Sequence, residues 1–244
     1  MGAPKTPLPG KTERCLFDSP RNRSSSGSPE CAHQLAFLSS TPRLICMTNS
    51  IVHKPANTTA QLHPLVADRW SPRIYDPAHS VSKGELESIG EAFRWAPSSS
   101  NQQPWKLALL TRGGELFDAV AKSGLTGFNQ TWAPNASVLA VVMAAKTFEG
   151  KARDMSATYF DVGLAASQLV TQAESMGLKS HYMGGIVPEA IVETLNVQDH
   201  EVVCVIAIGK QGSTEGQDQA IVDRENLERT RISPGDVYLI DRAL

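Results

Sequence analysis

A chain of 244 residues, 41% of them hydrophobic and 20% charged, is long enough to bury a real core as one large domain or two small ones. Its formal net charge of −2, with no block of like charges, gives no footprint for nucleic acid or an anionic membrane. The longest apolar run, Val138 to Ala145, is far too short to span a bilayer. The four cysteines lack CxxC spacing, so neither a zinc site nor a disulfide framework is expected, and a reducing cytoplasm is the plain inference.

Residues 1–60 are dominated by Ser, Pro, Arg and Lys, as in the run from Ser24 to Pro29, and carry no sustained hydrophobic period. Too little apolar surface is offered there to offset the entropy of ordering, which predicts a disordered extension. Its few acids invite a transit-peptide reading that Glu13, Asp18, Glu30 and the prolines weaken; equally, Met47 could be the true start, with the first 46 residues an artefact. The sequence leaves both open. One folded domain is expected over 61–244, beginning near His63.

Arg69, Ser71 and Arg73 place two guanidinium groups and a hydroxyl within five residues, a donor set suited to phosphate, although solvated surface arginines would read the same way. Ser82 and Glu85 form a capping box, and Leu86, Ile89, Ala92 and Phe93 share one face of the helix that follows. Pro97 ends that helix and Pro104 precedes a strand from Trp105 to Thr111. The loop between them is dense in hydroxyls and amides, able to hydrogen-bond a polar ring system or merely its own backbone.

Further on, Gly113 and Gly114 turn the chain into a short helix over Leu116, Phe117 and Val120. Trp132 is read as a core aromatic and Val138 to Ala145 as a buried strand. A long helix is predicted over 159–176, with a wide apolar stripe and Gly177 as its left-handed cap. A turn at Gly184 and Gly185 lets backbone approach a ligand, or simply leads into a helix over 188–195. His181 beside it is read as structural rather than catalytic. Cys204, in the apolar strand from Val202 to Ile208, is read as an inert core thiol. After a polar connection, Arg229 and Arg231 stand either in a basic exposed tail or in a second phosphate element.

The order Pro97-Ser98-Ser99-Ser100-Asn101-Gln102-Gln103-Pro104-Trp105 closely resembles the flavin-binding loop of the nitroreductase family, the FMN-dependent NAD(P)H oxidoreductases. Arg69, Ser71 and Arg73 resemble that family's R-x-S-x-R/K element, the Gly184-Gly185 pair its second flavin loop in one branch, and Arg229 with Arg231 its C-terminal K/R-x-R element. Trp70 departs from the pattern, since a histidine or arginine is commoner there, and the short connection after Ala145 suggests a compact member with an open site. No GxGxxG or P-loop motif competes.

The resemblance implies an α+β fold, a mixed central sheet sandwiched by helices, and a homodimer with its flavins at the subunit interface. It implies FMN as cofactor, NADH or NADPH as hydride donor, and a nitroaromatic, quinone or related small molecule as acceptor. Arg69, Ser71, Arg73, Arg229 and Arg231 would take the phosphate; Pro97, Ser98, Ser99, Asn101 and Gln103 the ring and ribityl chain; Gly184 and Gly185 would lie beside the ring. No metal and no catalytic side chain is expected, because the flavin carries the chemistry. Alternatives are a member with other flavin chemistry, a non-catalytic FMN-binding or storage protein, or a structural protein without flavin.

Overall fold

The computed structural model describes residues 51–241, so the disordered tail expected over 1–60 and the question of Met47 fall mostly outside the described residues. Residues 51–60 have no regular secondary structure, yet they are tied to the body. Gln211 Nε2 donates to the Val52 carbonyl at 2.7 Å, the Ala56 N–H donates to the Ala67 carbonyl at 2.7 Å, and the Lys54 ammonium donates to the Leu227 carbonyl at 2.8 Å. The ordered chain therefore starts ahead of the boundary at 61, held by Ala67 nearby and by Gln211 and Leu227 more than a hundred residues away.

After a single turn, α1 (Pro64–Ala67), the helix α2 (Lys83–Arg94) begins as the capping box predicts. The Ser82 N–H donates to Glu85 Oε2 at 2.7 Å, and the Glu85 N–H donates to Ser82 Oγ at 3.3 Å. β1 (Trp105–Thr111) and β2 (Val138–Ala145) coincide with the expected strands. Between them lie α3 (Glu115–Ala119), a π turn over Val120–Gly124, and α4 (Asn129–Trp132). A small hairpin, β3 (Thr147–Phe148) and β4 (Lys151–Ala152), follows.

The long helix α5 (Met155–Ser175) starts ahead of the expected Tyr159, because Asp154 caps it by accepting the Ser156 N–H at 3.0 Å. It closes at Gly177, whose φ of 76° is the left-handed conformation that glycine adopts without a Cβ penalty. β5 (Lys179–Met183), α6 (Pro188–Leu195) and β6 (His200–Gly209) complete the expected series. The polar connection after β6 contains a further helix, α7 (Gln219–Asn226). Ile221 and Glu225 are its only buried residues, too few for a readable apolar period.

Apart from the β3–β4 hairpin, the strands form one sheet in the order β1-β2-β6-β5. Leu109 pairs with Ala140, Val141 with Val205, and Tyr182 with Ile206. The fold class is α+β as expected, but all three pairings are antiparallel, so these four strands form no mixed sheet. The β1–β2 and β5–β6 connections return the chain at the same end of the sheet, whereas α5 carries it back across the sheet from β2 to β5, which runs in the same direction as β2.

Alternation along β2 sends Leu139, Val141 and Met143 to one face with Trp132, Phe117 and Ile191, and Val138, Ala140, Val142 and Ala144 to the other with Ile89, Val162 and Leu169. Helices α2 and α5 cover the second face, while α3, α4, α6 and α7 cover the first. Each fully buried Leu, Ile or Val contributes roughly 1.5–3 kcal/mol, so the two-sided strands β2 and β6 anchor the sandwich. No helix among the described residues is long and apolar enough to cross a membrane.

Candidate functional site

The segment carrying Arg69 to Arg73 runs beside the edge strand β5. His181 on that strand pins it, with Nδ1 2.9 Å from the Pro72 carbonyl, so that Nδ1 carries the proton and donates. From the other side Glu225, buried on α7, accepts the Arg73 N–H at 2.8 Å and also bonds the Ile74 N–H. Arg69 Nη1 donates to Ser71 Oγ at 3.3 Å. Arg229 returns from the far end of the chain and donates to the Lys54 and Ala67 carbonyls at 3.0 and 2.6 Å.

The expected phosphate residues are thus gathered on one side of β5, and their charges act on one another. Burial, then the neighbouring charges of Arg69 and Arg231, lower the Arg229 pKa. Burial lowers that of Arg73 as well, partly opposed by Glu225 and reinforced by Arg224. None of the four guanidinium groups pairs with a carboxylate among the described residues. Cations drawn together in this way, only partly offset by the charges of Glu225 and Asp68, set up a positive potential that an anion would relieve.

The amide-rich loop is held in an unusual backbone. Ser100, Asn101 and Gln103 have φ of 51°, 55° and 47°, a region costing L-residues roughly 1–2 kcal/mol each. Two latches hold it: Ser98 Oγ accepts the Gln103 N–H at 2.9 Å, and both Asp161 oxygens lie 3.2 Å from the Ser99 N–H. Gln102 Oε1 is taken by Arg153 at 2.7 Å, and Gln103 Nε2 folds back on the Asn101 carbonyl at 3.2 Å. The Ser99 hydroxyl and the Asn101 amide are left unengaged among the described residues, at the exposed surface. Pro97, Ser98 and Ser99 rim a depression of about 390 Å³ whose apolar wall is Ala157, Phe160 and Leu164.

The two glycines after β5 differ. A Cβ on Gly185 would lie 2.9 Å from Asn129 Nδ2 and 3.1 Å from Thr126 Oγ1, so a larger residue there would displace these side-chain ends, including the Asn129 amide that donates to the Gly185 carbonyl. A Cβ on Gly184 would meet nothing within 4 Å, so its backbone faces open space that a ligand can use. His181, 8% exposed and 4.5 Å from the Trp132 ring centroid, has its pKa lowered to about 4, chiefly by burial. It is neutral near pH 7 and structural, as read from the sequence. Burial likewise pushes the Cys204 thiol up to about 11, so it is inert. No cluster of three metal-ligating side chains occurs among the described residues.

One chain does not bring all of these residues together. The 97–103 loop leads into β1 and the cationic cluster flanks β5, at opposite edges of the sheet, three strand spacings or about 14 Å apart. Along α5 the loop is latched at Asp161, while Glu174 bonds Lys179, which also reaches the Asp68 carbonyl at 3.5 Å. Those two anchor points are thirteen residues apart, about 20 Å of helix. Sequence reading missed Asp161, Glu225 and Lys54. Asp161 had a signal, an acid among the apolar positions of a long helix; Glu225 and Lys54 had none.

Fold and site together define a class: an α+β sandwich that gathers cations at one edge of its sheet and an amide-rich loop at the other. The chain belongs to the nitroreductase family, whose model matches residues 66–210. It is 27% identical over 183 residues to the oxygen-insensitive NADPH nitroreductase of Helicobacter pylori strain J99, covering 60% of this chain and 86% of that one. Among solved structures, an oxidoreductase containing FMN is 33% identical, with a TM-score of 0.69 over 76% of this chain and 94% of its own. A nitroreductase solved with FMN from Exiguobacterium sibiricum, 23% identical, shares the fold with a TM-score of 0.60 over 75% of this chain and 99% of its own.

Proposed function

We propose that the protein is an FMN-dependent oxidoreductase that takes reducing equivalents from NADH or NADPH and delivers them to a small-molecule acceptor, a nitroaromatic, a quinone or a related compound. The observation that carries this reading is the cluster of Arg69, Arg73, Arg229 and Arg231 without carboxylate partners. Planar guanidinium forks match phosphate oxygens, and the open backbone at Gly184, just after the strand that carries His181, gives a ring room. The donor set fits FMN. Bound flavin would supply the redox chemistry between nicotinamide and acceptor.

The chain's own part is to bind, orient and leave the ring accessible. The arginines would hold the phosphate with Ser71, while Pro97, Ser98, Ser99, Asn101 and Gln103 would meet the ring and ribityl chain. Protons for the product would come from water, with His181 neutral and buried. The two halves of the site lie at opposite edges of the sheet, which supports a homodimer in which the loop of one copy meets the β5 edge of the other. The outer face of α5 suits such a contact: Phe160 is 69% exposed and Gly163 has open space over its Cα. A cytoplasmic location goes with the use of NAD(P)H.

The test is a visible spectrum of the purified protein before and after anaerobic NADPH or NADH, with sedimentation velocity on the same sample. A flavin band that bleaches in a dimer is the expected result. Flavin that stays oxidised would point to storage or other flavin chemistry, and a protein that neither contains nor binds FMN would overturn the reading.

A further inference from the structure

The family match begins at residue 66, yet the cationic cluster draws on a residue twelve positions earlier. Lys54 lies in the extended segment ahead of the matched region, and three contacts fix it. Its ammonium donates to the Leu227 carbonyl at 2.8 Å and sits 4.3 Å from the ring centroid of Trp70, between Arg69 and Ser71. Its own carbonyl accepts from Arg229 Nη1 at 3.0 Å. Lys54 therefore clasps the C-terminal arm twice, through its side chain two residues before Arg229 and through its backbone at Arg229 itself.

We propose that Lys54 is a fifth cation of the phosphate site, delivered by the N-terminal segment onto the Trp70 ring and facing the same anion as Arg73 and Arg229. The proposal rests on the FMN reading above. An ammonium has three N–H donors, and Leu227 occupies one. The Trp70 ring, 5% exposed, receives the charge on its face without consuming a donor, so two N–H groups remain for phosphate oxygens.

The surrounding charges are consistent with that role. Burial lowers the Lys54 pKa most, the charges of Arg73 and Arg229 lower it further, and Glu225 opposes them. Glu225 acts on Lys54 through its charge and not as an ion-pair partner among the described residues: its Oε2 accepts the Arg73 N–H and the side chain is buried on α7. A phosphate dianion between Lys54, Arg73 and Arg229 would relieve both of these repulsions at once. The extended segment thus has a function that the matched family region does not contain, and removing it would strip both a ligand and the Lys54–Arg229 clasp from the site.

The experiment compares two flavins on full-chain protein stripped of cofactor: FMN, and riboflavin, which lacks the phosphate. Binding is read by quenching of flavin fluorescence, and folding by circular dichroism. K54M is expected to weaken FMN about tenfold while leaving riboflavin within about twofold of wild type, and K54R to restore most of the FMN affinity. If K54M does not fold, K54Q keeps a donor for the Leu227 carbonyl without the charge and should show the same FMN-selective loss. Unchanged FMN binding in K54M, or equal losses for both flavins, would overturn the proposal and leave Lys54 a structural clasp. Wild-type protein that binds neither flavin would instead refute the FMN reading itself.

Discussion

His181 gives the most quantitative test of the electrostatics described above. Its imidazole is buried under Trp132, donates Nδ1–H to the Pro72 carbonyl, and has its pKa lowered to about 4 by burial above all. In the unfolded chain the same group titrates near 6.5. Between these values the unfolded state holds a proton that the folded state rejects, so stability falls as pH falls through this window. A gap of about 2.5 units at 1.36 kcal/mol each amounts to about 3 kcal/mol lost between pH 7 and pH 4 from this residue. Urea unfolding of wild type and His181→Phe at both pH values measures it. The variant is less stable at pH 7, because it orphans the Pro72 carbonyl, but it should lose about 3 kcal/mol less on acidification. Parallel losses in the two proteins, or an imidazole NMR resonance titrating near 6.5, would refute the reasoning. The same shift means that no limb of a pH–rate profile between about pH 5 and pH 8 should disappear in the variant.

Arg73→Ala should weaken FMN about ten- to a hundredfold, the worth of one charged hydrogen bond, and isothermal titration or fluorescence quenching reads this directly. Asp161→Ala removes the carboxylate that latches the Ser99 N–H, so the amide of Ser99 should exchange its hydrogen faster and flavin affinity should fall about tenfold. An unchanged exchange rate at Ser99 would show that the loop holds its left-handed residues without help. Gly185→Ala forces a methyl onto Asn129 and should cost about 1–3 kcal/mol in a thermal melt. Gly184→Ala should leave the melt of flavin-free protein unchanged and weaken flavin binding, since its methyl enters only open space.

Much of the fold was legible along the chain because the signals are local. The Ser82–Glu85 box placed the start of α2, the proline pair bracketed the loop, and the unbroken apolar runs marked β2 as a buried strand and β6 as an apolar one. α7 escaped because an eight-residue helix with one buried aliphatic has no period to detect. The antiparallel pairing of every strand was equally hidden, since alternation of side chains is the same whichever way the neighbour runs.

The candidate site divides in the same way. The sequence by itself determined the chemistry on offer: guanidinium groups at 69, 73, 229 and 231, an amide-rich loop at 97–103, and two glycines after β5. Only the tertiary structure decided how these meet. Arg229 joins Arg69 across 160 positions because the C-terminal arm docks on the extended segment at Lys54. Glu225 and Asp161 support the two halves from helices distant in sequence, and only Asp161, an acid among apolar positions, leaves a trace along the chain. The edge-to-edge separation of loop and cluster follows from strand order, which local periodicity does not encode. Residue type sets what a side chain can do within its own few ångströms, whereas proximity between distant segments is fixed by how the whole core packs.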